Sequence, residues 1–197
     1  AIVSVDCIPI DSCLKAFDIQ PSLKFSKVRG LLCSNKVNSQ IINSIINESK
    51  ELLGNFFDDV YIYTENGNCD KSDNASGFNM VLACTGVDNK LVVAEDLSHI
   101  DESNPSKFVS KICRRLLHNV ANKIIIDQQL SWSMCILMAI SQDVSKIQIQ
   151  SDLIQKDLIK HIEKMFGVVF KIKEIDSNQS ILICMGLGLK NISKGLK

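Results

Sequence analysis

The alternation of polar and apolar residues is clearest in residues 141–173, where it predicts a strand, a helix and a second strand. Ile147 and Ile149 alternate with polar neighbours, which is the period of a half-buried strand. Ser151 or Asp152 then stands where the N-cap of a helix is expected. The apolar stripe of this helix is formed by Ile154, Leu158, Ile162 and Met165. The second strand follows Gly167 and begins with the side chains of Val168, Val169, Phe170 and Ile172.

The pattern in residues 1–100 predicts three strands, one helix and one hairpin. The strands are Ile2–Cys7, Val28–Val37 with an interruption at Gly30, and residues 59–65. Asn38 or Ser39 caps a helix that ends at Gly54, and its buried face is formed by Ile41, Ile42, Ile45, Ile46, Leu52 and Leu53. The hairpin pairs residues 78–85 with residues 90–95, whereas residues 65–76 contain almost no apolar side chain and predict a mobile loop.

Two more helices are predicted after residue 103. Asn104 is a suitable N-cap and Pro105 occupies the first helical position, where its missing N–H is not needed. The stripe of this helix is formed by Phe108, Val109, Ile112, Leu116, Leu117 and Val120. Asp127 caps the next helix, Gln128–Ile140, which is apolar nearly all round and is therefore expected to be buried on more than one side. A last strand, Ile181–Met185, precedes a glycine-rich end and a basic tail.

The order of these elements predicts the fold class. A helix, a glycine, a strand and a hairpin in residues 38–95 are matched by the same succession from residue 152. Such a repeat predicts an α/β (α+β) fold of small mixed-sheet units, each with its helices on one face of the sheet. We expect two compact subdomains, with residues 26–100 inserted between residues 1–25 and the remainder.

Composition places the chain among ordinary globular proteins. Of its 197 residues, 46% are hydrophobic and 22% are charged, and no apolar run reaches the roughly 18 residues of a membrane span. The eight cysteines form no C-x-x-C pair, and no His lies at metal-ligand spacing from them. We therefore expect free thiols in a reducing compartment rather than a zinc site or disulfides. The first residues have no initiator Met and already resemble a strand, which suggests a piece of a longer protein.

The net charge of zero conceals an uneven distribution along the chain. Residues 1–103 contain 8 Lys and Arg against 15 Asp and Glu, whereas residues 104–197 contain 14 against 7. A basic half suggests an acidic partner such as RNA, although the two halves could equally attract each other or an absent neighbour. The candidates for contact with RNA phosphate or an acidic protein are Arg114, Arg115, Lys171, Lys173, Lys190 and Lys194.

Several strand-like segments resemble one protein family. FGVVFKIK (166–173) and ILICMGLGLKNISK (181–194) resemble the C-terminal end of the RNA 3′-terminal phosphate cyclase-like proteins. Upstream segments resemble the family in its order: VRGLLCSNKV (28–37), DDVYIYTE (58–65), SGFNMVLACT (76–85), VVAE (92–95) and DVSKI (143–147). The resemblance implies a large domain of three repeated α/β units, with a small α/β domain inserted in the third. Residues 1–25 and 101–197 would be the last repeat and residues 26–100 the insert, without the first two repeats.

The family has two branches that differ in chemistry. True cyclases resemble nucleotidyl transferases, in which a His attacks the α-phosphate of ATP and AMP then passes to an RNA 3′-phosphate. By alignment, Ile154 falls near the position of that nucleophile, and residues 152–160 contain no His. His161 is expected at the flank of the helix, and neither His99 nor His118 has the right context. Asp127 with Gln128 resembles an acidic–amide pair of the cyclases, although a helix cap explains Asp127 equally well.

The resemblance therefore implies a non-catalytic factor in small-subunit ribosomal RNA processing and 40S ribosome biogenesis. Its expected partners are a ribosome-assembly GTPase and pre-rRNA or a small-subunit precursor particle, and its expected location is the nucleus and nucleolus. We predict no catalytic residue, no metal, no cofactor and no membrane contact.

Two alternatives stay open. The first is an active, ATP-dependent RNA 3′-terminal phosphate cyclase that forms 2′,3′-cyclic phosphate ends. The second is a pre-rRNA endonuclease, which would need converging carboxylates. The carboxylates considered for that role, which are scattered along the sequence, are Asp6, Asp127, Asp143 and Asp152.

Overall fold

The computed structural model describes residues 4–6, 12–21, 24–67, 76–99 and 104–190. In this part of the chain the elements are β1 (Asp18–Ile19), β2 (Phe25–Asn35), α1 (Ser39–Gly54), β3 (Asp59–Asn66), β4 (Gly77–Gly86), β5 (Leu91–His99), α2 (Pro105–Ala121), α3 (Gln128–Ile140), β6 (Val144–Gln150), α4 (Lys156–Phe166), β7 (Phe170–Glu174) and β8 (Gln179–Met185). The strands form two four-stranded mixed sheets. The predicted α/β (α+β) class is therefore confirmed.

The chain divides into two compact units, residues 21–125 and residues 1–20 with 126–197. The sequence placed the boundaries at 25/26 and 100/101 and assigned α2 to the later segment. In the structure α2 belongs to the earlier unit, because its apolar stripe packs against β4, β5 and α1. Phe108 meets Phe78 of β4 edge to face, with the ring centroids 4.8 Å apart.

The unit of residues 21–125 has a sheet in the order β3-β2-β4-β5. β2 is parallel to β3 and antiparallel to β4, and β4 is antiparallel to β5. The core lies between one face of this sheet and helices α1 and α2, and its fully buried side chains include Val28, Leu32, Ile45, Leu53, Met80, Leu82, Ile112 and Leu116. Strand β2 runs through Gly30 without the predicted interruption. A Cβ atom there would lie 2.9 Å from Cδ2 of Leu82, so the glycine provides space for a core side chain.

The other unit has a sheet in the order β1-β6-β8-β7. β1 is parallel to β6, and the other two pairings are antiparallel. α3 packs against β6, β8 and α4, above the buried side chains of Ile147, Ile149, Leu182 and Cys184. The last backbone carbonyl groups of α3 accept hydrogen bonds from the segment after β8. The N–H of Leu187 donates to the oxygen of Ala139 (2.9 Å), and the N–H of Leu189 donates to that of Ile140 (3.0 Å).

Helix α3 is buried where it faces the sheet and α4, but part of its apolar surface is exposed. Met138, Ala139 and Cys135 are buried, but Leu130 and Trp132 are 50% and 51% exposed. The helix packs against the sheet and α4 and leaves these apolar side chains in contact with water.

Helix α4 also differs from the prediction, because it begins at Lys156 and not at Ser151 or Asp152. Residues 151–153 form a single turn of 3-10 helix, and the Ser151 hydroxyl bonds to that of Ser180 on β8 (2.8 Å) instead of capping a helix. The helix buries Ile159 and Ile162, whereas Met165 of the predicted stripe is exposed. It ends as predicted, with Gly167 in the left-handed conformation (φ 68°).

Two predicted features lie outside the described residues or largely so. Most of the strand Ile2–Cys7 is among them, and residues 4–6, which are described, form no strand. The centre of the predicted loop 65–76 is also outside the described residues. The β4–β5 hairpin is confirmed, and Asn89 in its turn has a positive φ of 62°.

Candidate nucleic-acid interface

Lys171 and Lys173 lie side by side on one face of the edge strand β7. Alternate residues of a strand point to the same side, so two exposed lysines project together about 7 Å apart. This face is turned away from the core. On the neighbouring strand β8, Ile183 lies opposite Lys171 and Ile181 lies opposite Lys173, and both isoleucines are only half-buried. The structure thus brings two of the predicted residues together.

Lys146, which is not one of the candidates predicted from the sequence, lies on the same face as this pair. It lies opposite Ile183 on β6, so Lys146, Ile183 and Lys171 form one cross-strand row. Two strand spacings separate the two lysines, which is about 10 Å. We call Lys146, Lys171 and Lys173 the lysine face. The alternation of Lys146 with Ile147 was visible in the sequence, but only the pairing of β6 with β8 shows that it shares a face with β7.

The lysine face carries a net positive charge. The described part of this sheet contains two carboxylates. Asp18 of β1 lies opposite Lys146, on the lysine face. Glu174 lies opposite the buried Ser180, so it is on the other face of the sheet. The centre of the face is formed by apolar and amide side chains of β8 and β6, namely Ile181, Ile183, Gln148 and Gln179. Asp18 lies beside Lys146 and offsets part of its charge, whereas Lys171 and Lys173 have no carboxylate opposite them on this face and can contact phosphate groups.

Arg114 and Arg115 lie in the other unit, on the outer side of α2. Both are exposed, as predicted from their position off the stripe. Arg115 is also used within the unit, because its Nη1 donates to the backbone oxygen of Glu95 on β5 (2.8 Å). One turn earlier on the helix, Lys111 forms an ion pair with Asp96 (2.6 Å). Part of the basic charge of α2 is therefore paired with β5.

The last two candidates lie near the carboxyl end of the chain. Lys190 is exposed and follows Leu189, whose N–H is bonded to the end of α3. Lys194 lies outside the described residues.

The acidic and basic halves of the sequence do not correspond to the two compact units. Residues 21–125 contain 12 Lys and Arg and 12 Asp and Glu, and the remaining residues contain 10 of each. Because α2 folds with the acidic segment that precedes it, each unit is neutral. Any contact with an anion must therefore come from a local group of cations such as the lysine face and not from a basic half of the molecule.

The position near the expected nucleophile is apolar. Ile154 lies between the 3-10 turn and α4, next to an apolar cavity of about 10 Å³, which is the space of roughly one water molecule. His161 is exposed on α4, and its Nδ1 donates to the backbone oxygen of Asp157 (2.6 Å), as a histidine on a helix flank can. Asp127 accepts from the N–H of Leu130 (2.8 Å) and so caps α3.

Carboxylates and thiols do not form a metal site in the part of the chain that the structure describes. No three His, Cys, Asp or Glu side chains there are grouped closely enough to hold a metal ion. The carboxylates considered for an endonuclease are all among those residues. The cysteines at 13, 33, 84, 113, 135 and 184 are free thiols.

Comparison with known proteins identifies the family. Residues 24–121 match the family model of the RNA 3′-terminal phosphate cyclase (RTC) insert domain. A human protein named RNA 3′-terminal phosphate cyclase-like protein is 26% identical over 202 residues, which cover 96% of this chain and 54% of that protein. The chain belongs to the RNA 3′-terminal phosphate cyclase-like proteins. The matched insert domain includes α2, in agreement with the compact unit 21–125.

Other cyclase-like relatives show the same extent of similarity. The bovine RNA 3′-terminal phosphate cyclase-like protein is 26% identical over 96% of this chain and 54% of its own length. A Schizosaccharomyces pombe relative, named rRNA processing protein rcl1, is 23% identical over 87% of this chain and 48% of its own length. The chain thus spans about half the length of these relatives.

In the described residues, every helix is too short or too polar to cross a membrane.

Proposed function

We propose that the protein containing this chain is a non-catalytic cyclase-like factor in small-subunit ribosomal RNA processing, and that it binds a ribosome-assembly GTPase and pre-rRNA in the nucleolus. The observation that carries the proposal is the similarity to a relative named for rRNA processing over 87% of the chain. The apolar surroundings of Ile154 support the non-catalytic part, because covalent transfer of AMP needs a nucleophile there.

We propose further that residues 1–20 and 126–197 are the last unit of a larger repeated domain. The exposed apolar face of α3 supports this, since Leu130, Trp132 and Leu137 would otherwise remain in water. The relatives are about twice as long as the matched region, so they contain chain that can cover this face. The neighbouring repeats would then pack against α3, and the lysine face on the opposite side of the sheet would remain accessible.

The lysine face is the RNA contact that the geometry favours, with Arg114 and Arg115 as a second position. Each phosphate contact with single-stranded RNA contributes about 0.7 to the slope of log affinity against log salt concentration. We expect the full-length variant Lys171→Gln/Lys173→Gln to bind a 20-nucleotide oligouridine more weakly, with the slope reduced by about 1.4. Fluorescence anisotropy at several salt concentrations measures both quantities.

A matched control separates contact from net charge. Lys156→Gln/Lys164→Gln removes the same charge from exposed positions of α4, and its slope should equal that of the unchanged protein. Arg114→Gln/Arg115→Gln tests the second position in the same way. Equal slopes for the β7 variant and the α4 control would show that the lysine face does not contact RNA.

Catalysis is tested separately with ATP labelled at the α-phosphate. We expect no covalent adduct on the full-length protein, because the residue near the expected position of the nucleophile is Ile154, whose side chain cannot attack phosphorus. An acid-labile adduct that is lost in His161→Ala but kept in His118→Ala would refute the non-catalytic proposal. The same samples incubated with an RNA 3′-phosphate reveal cyclase activity directly.

A further inference from the structure

In the sheet of residues 21–125, one face has no helix packed on it among the residues that the structure describes. Strand pairing arranges this face in four rows, each with one residue from β3, β2, β4 and β5 in that order. The rows are Glu65–Cys33–Asn79–Leu97, Tyr63–Leu31–Val81–Glu95, Tyr61–Arg29–Ala83–Val93 and Asp59–Lys27–Thr85–Leu91. We call these residues the open sheet face.

The middle of the open sheet face is apolar although it is in contact with water. Tyr61 and Tyr63 are 49% and 54% exposed, and their rings meet edge to face with the centroids 4.6 Å apart. The next strands continue the patch with Leu31, Val81, Ala83 and Val93, and exposed Leu91 and Leu97 lie on β5. A solvated face of an antiparallel sheet normally carries polar residues at these positions. A contiguous apolar patch with charged residues around it is typical of an interaction site.

The charges around the patch favour a protein over a nucleic acid. Arg29 donates to both carboxylate oxygens of Asp59 (2.8 and 2.6 Å), so its charge is already matched. This hydrogen-bonded pair lowers the pKa of Asp59 and keeps it ionised. Glu65 and Glu95 lie on the two edge strands in adjacent rows, where they would repel phosphate and attract basic side chains. Lys27 lies in the outer row beside Asp59, and the Lys50 Nζ lies 5.5 Å from the centre of the Tyr61 ring, so the acidic part of the face is the end with Glu65 and Glu95, next to Tyr63 and Leu31.

The size of the face selects the kind of partner. Three strand spacings and three row spacings give about 14 by 20 Å between the outer Cα positions, or several hundred Å² with the side chains included. A stable dimer of two copies needs about 800 Å² on each partner, which this face does not supply. A helix is about 10 Å wide, and 20 Å corresponds to about 13 residues.

We propose that the open sheet face binds a short amphipathic helix of a protein partner, with the apolar side of the helix on Leu31, Val81 and Ala83 and basic side chains beside Glu65 and Glu95. Val81 and Ala83 are shorter than the tyrosines of β3, so a helix along β4 contacts both of its neighbouring strands. A groove of about 540 Å³ lined in part by Cys33, Asn79 and Leu97 lies at one end of the face. The bound helix completes a layer on the second side of the sheet, as in three-layer α/β proteins.

The test uses a labelled 14-residue helical peptide of Leu and Lys, with the leucines on one side, and the whole chain. Leu31→Lys, in the middle of the face, should weaken binding by about tenfold, as for a central interface residue, and Leu97→Lys, at the groove on the edge strand, should weaken it to a smaller extent. Leu97 is 70% exposed, so its replacement cannot disturb the core. The control Phe56→Lys changes an equally exposed apolar residue at the end of α1 and should leave the affinity unchanged. A peptide with Glu in place of Lys should bind about tenfold more weakly.

Amide chemical-shift changes in ¹H–¹⁵N spectra locate the bound peptide. Changes concentrated on β2, β4 and their neighbours on the open face support the proposal. Equal loss in Leu31→Lys and Phe56→Lys, or shift changes on another surface, would overturn it. Binding of an oligouridine to this face would assign it to RNA instead, and a dimer in sedimentation that Leu31→Lys dissociates would assign it to a second copy.

Discussion

Among the described cysteines, four are buried by the fold, and burial changes the reactivity of their thiols. Burial raises the pKa of the Cys84, Cys113, Cys135 and Cys184 thiols to about 11. Cys13 and Cys33 are only half-buried. A thiolate is the reactive form, and a pKa two units higher reduces its fraction at a given pH by about a hundredfold.

We therefore predict a clear order of alkylation by iodoacetamide at pH 8. Cys13 and Cys33 should react in the folded protein, and the four buried cysteines should react only after unfolding in urea. Peptide mapping by mass spectrometry assigns each modified residue. Comparable rates at Cys33 and Cys84 in the folded protein would contradict the burial of Cys84.

Among the elements, the end of α3 depends on a close backbone crossing. A Cβ atom at Gly186 would lie 2.1 Å from the backbone oxygen of Ser141 and 2.5 Å from that of Met138. Backbone atoms at a helix end cannot move away as a flexible side chain can. The glycine is required because the chain after β8 passes over the carboxyl end of α3, where it donates the hydrogen bonds that end needs.

We predict that Gly186→Ala lowers the free energy of unfolding by at least about 1–3 kcal/mol, the range for overpacking. Gly54→Ala is the matched control, because nothing lies within 4 Å of its added Cβ and alanine has the higher helix propensity. Its effect should be neutral or stabilising by up to about 1 kcal/mol. Urea denaturation measures both changes, and equal destabilisation of the two variants would contradict the crossing.

For the molecule as a whole, the position of α2 decides which part of the chain forms an independent core. Phe108, Ile112 and Leu116 of α2 are buried in the same cluster as Leu82 and Val92 of the sheet. Without α2 these side chains of β4 and β5 would be exposed to water, and burial of each large side chain contributes about 1.5–3 kcal/mol. The unit therefore needs residues beyond the boundary that the sequence pattern suggested.

We predict that a fragment of residues 21–125 unfolds cooperatively on its own, whereas a fragment of residues 26–100 does not fold. Thermal unfolding followed by circular dichroism compares the two. A double change in the longer fragment, Ile112→Asp with Leu116→Asp, should abolish folding as removal of α2 does. A cooperative transition in the shorter fragment at the same temperature would show that α2 is not part of this core.

The sequence by itself determined the features that depend on neighbouring residues. Asn38, Asn104 and Asp127 cap the helices as expected, because a side-chain oxygen reaches an N–H two or three residues away. The hairpin and the left-handed end at Gly167 follow from equally local geometry. Each of these features needs only the hydrogen bonds and dihedral angles of a few consecutive residues.

The tertiary structure alone decided the features that depend on distant parts of the chain. Ser151 has a side chain that can cap a helix, but its hydroxyl is hydrogen-bonded to that of Ser180 on β8. Helix α4 begins five residues later. The apolar stripe of α2 does not indicate which sheet this helix covers. The apolar residues of α3 do not indicate how many sides of this helix pack against other elements. Lys146 and Lys171 are 25 residues apart and share a face only because β8 lies between β6 and β7. Strand order and helix packing are set by burial of apolar surface between segments far apart in sequence, and no local pattern records which segments these are.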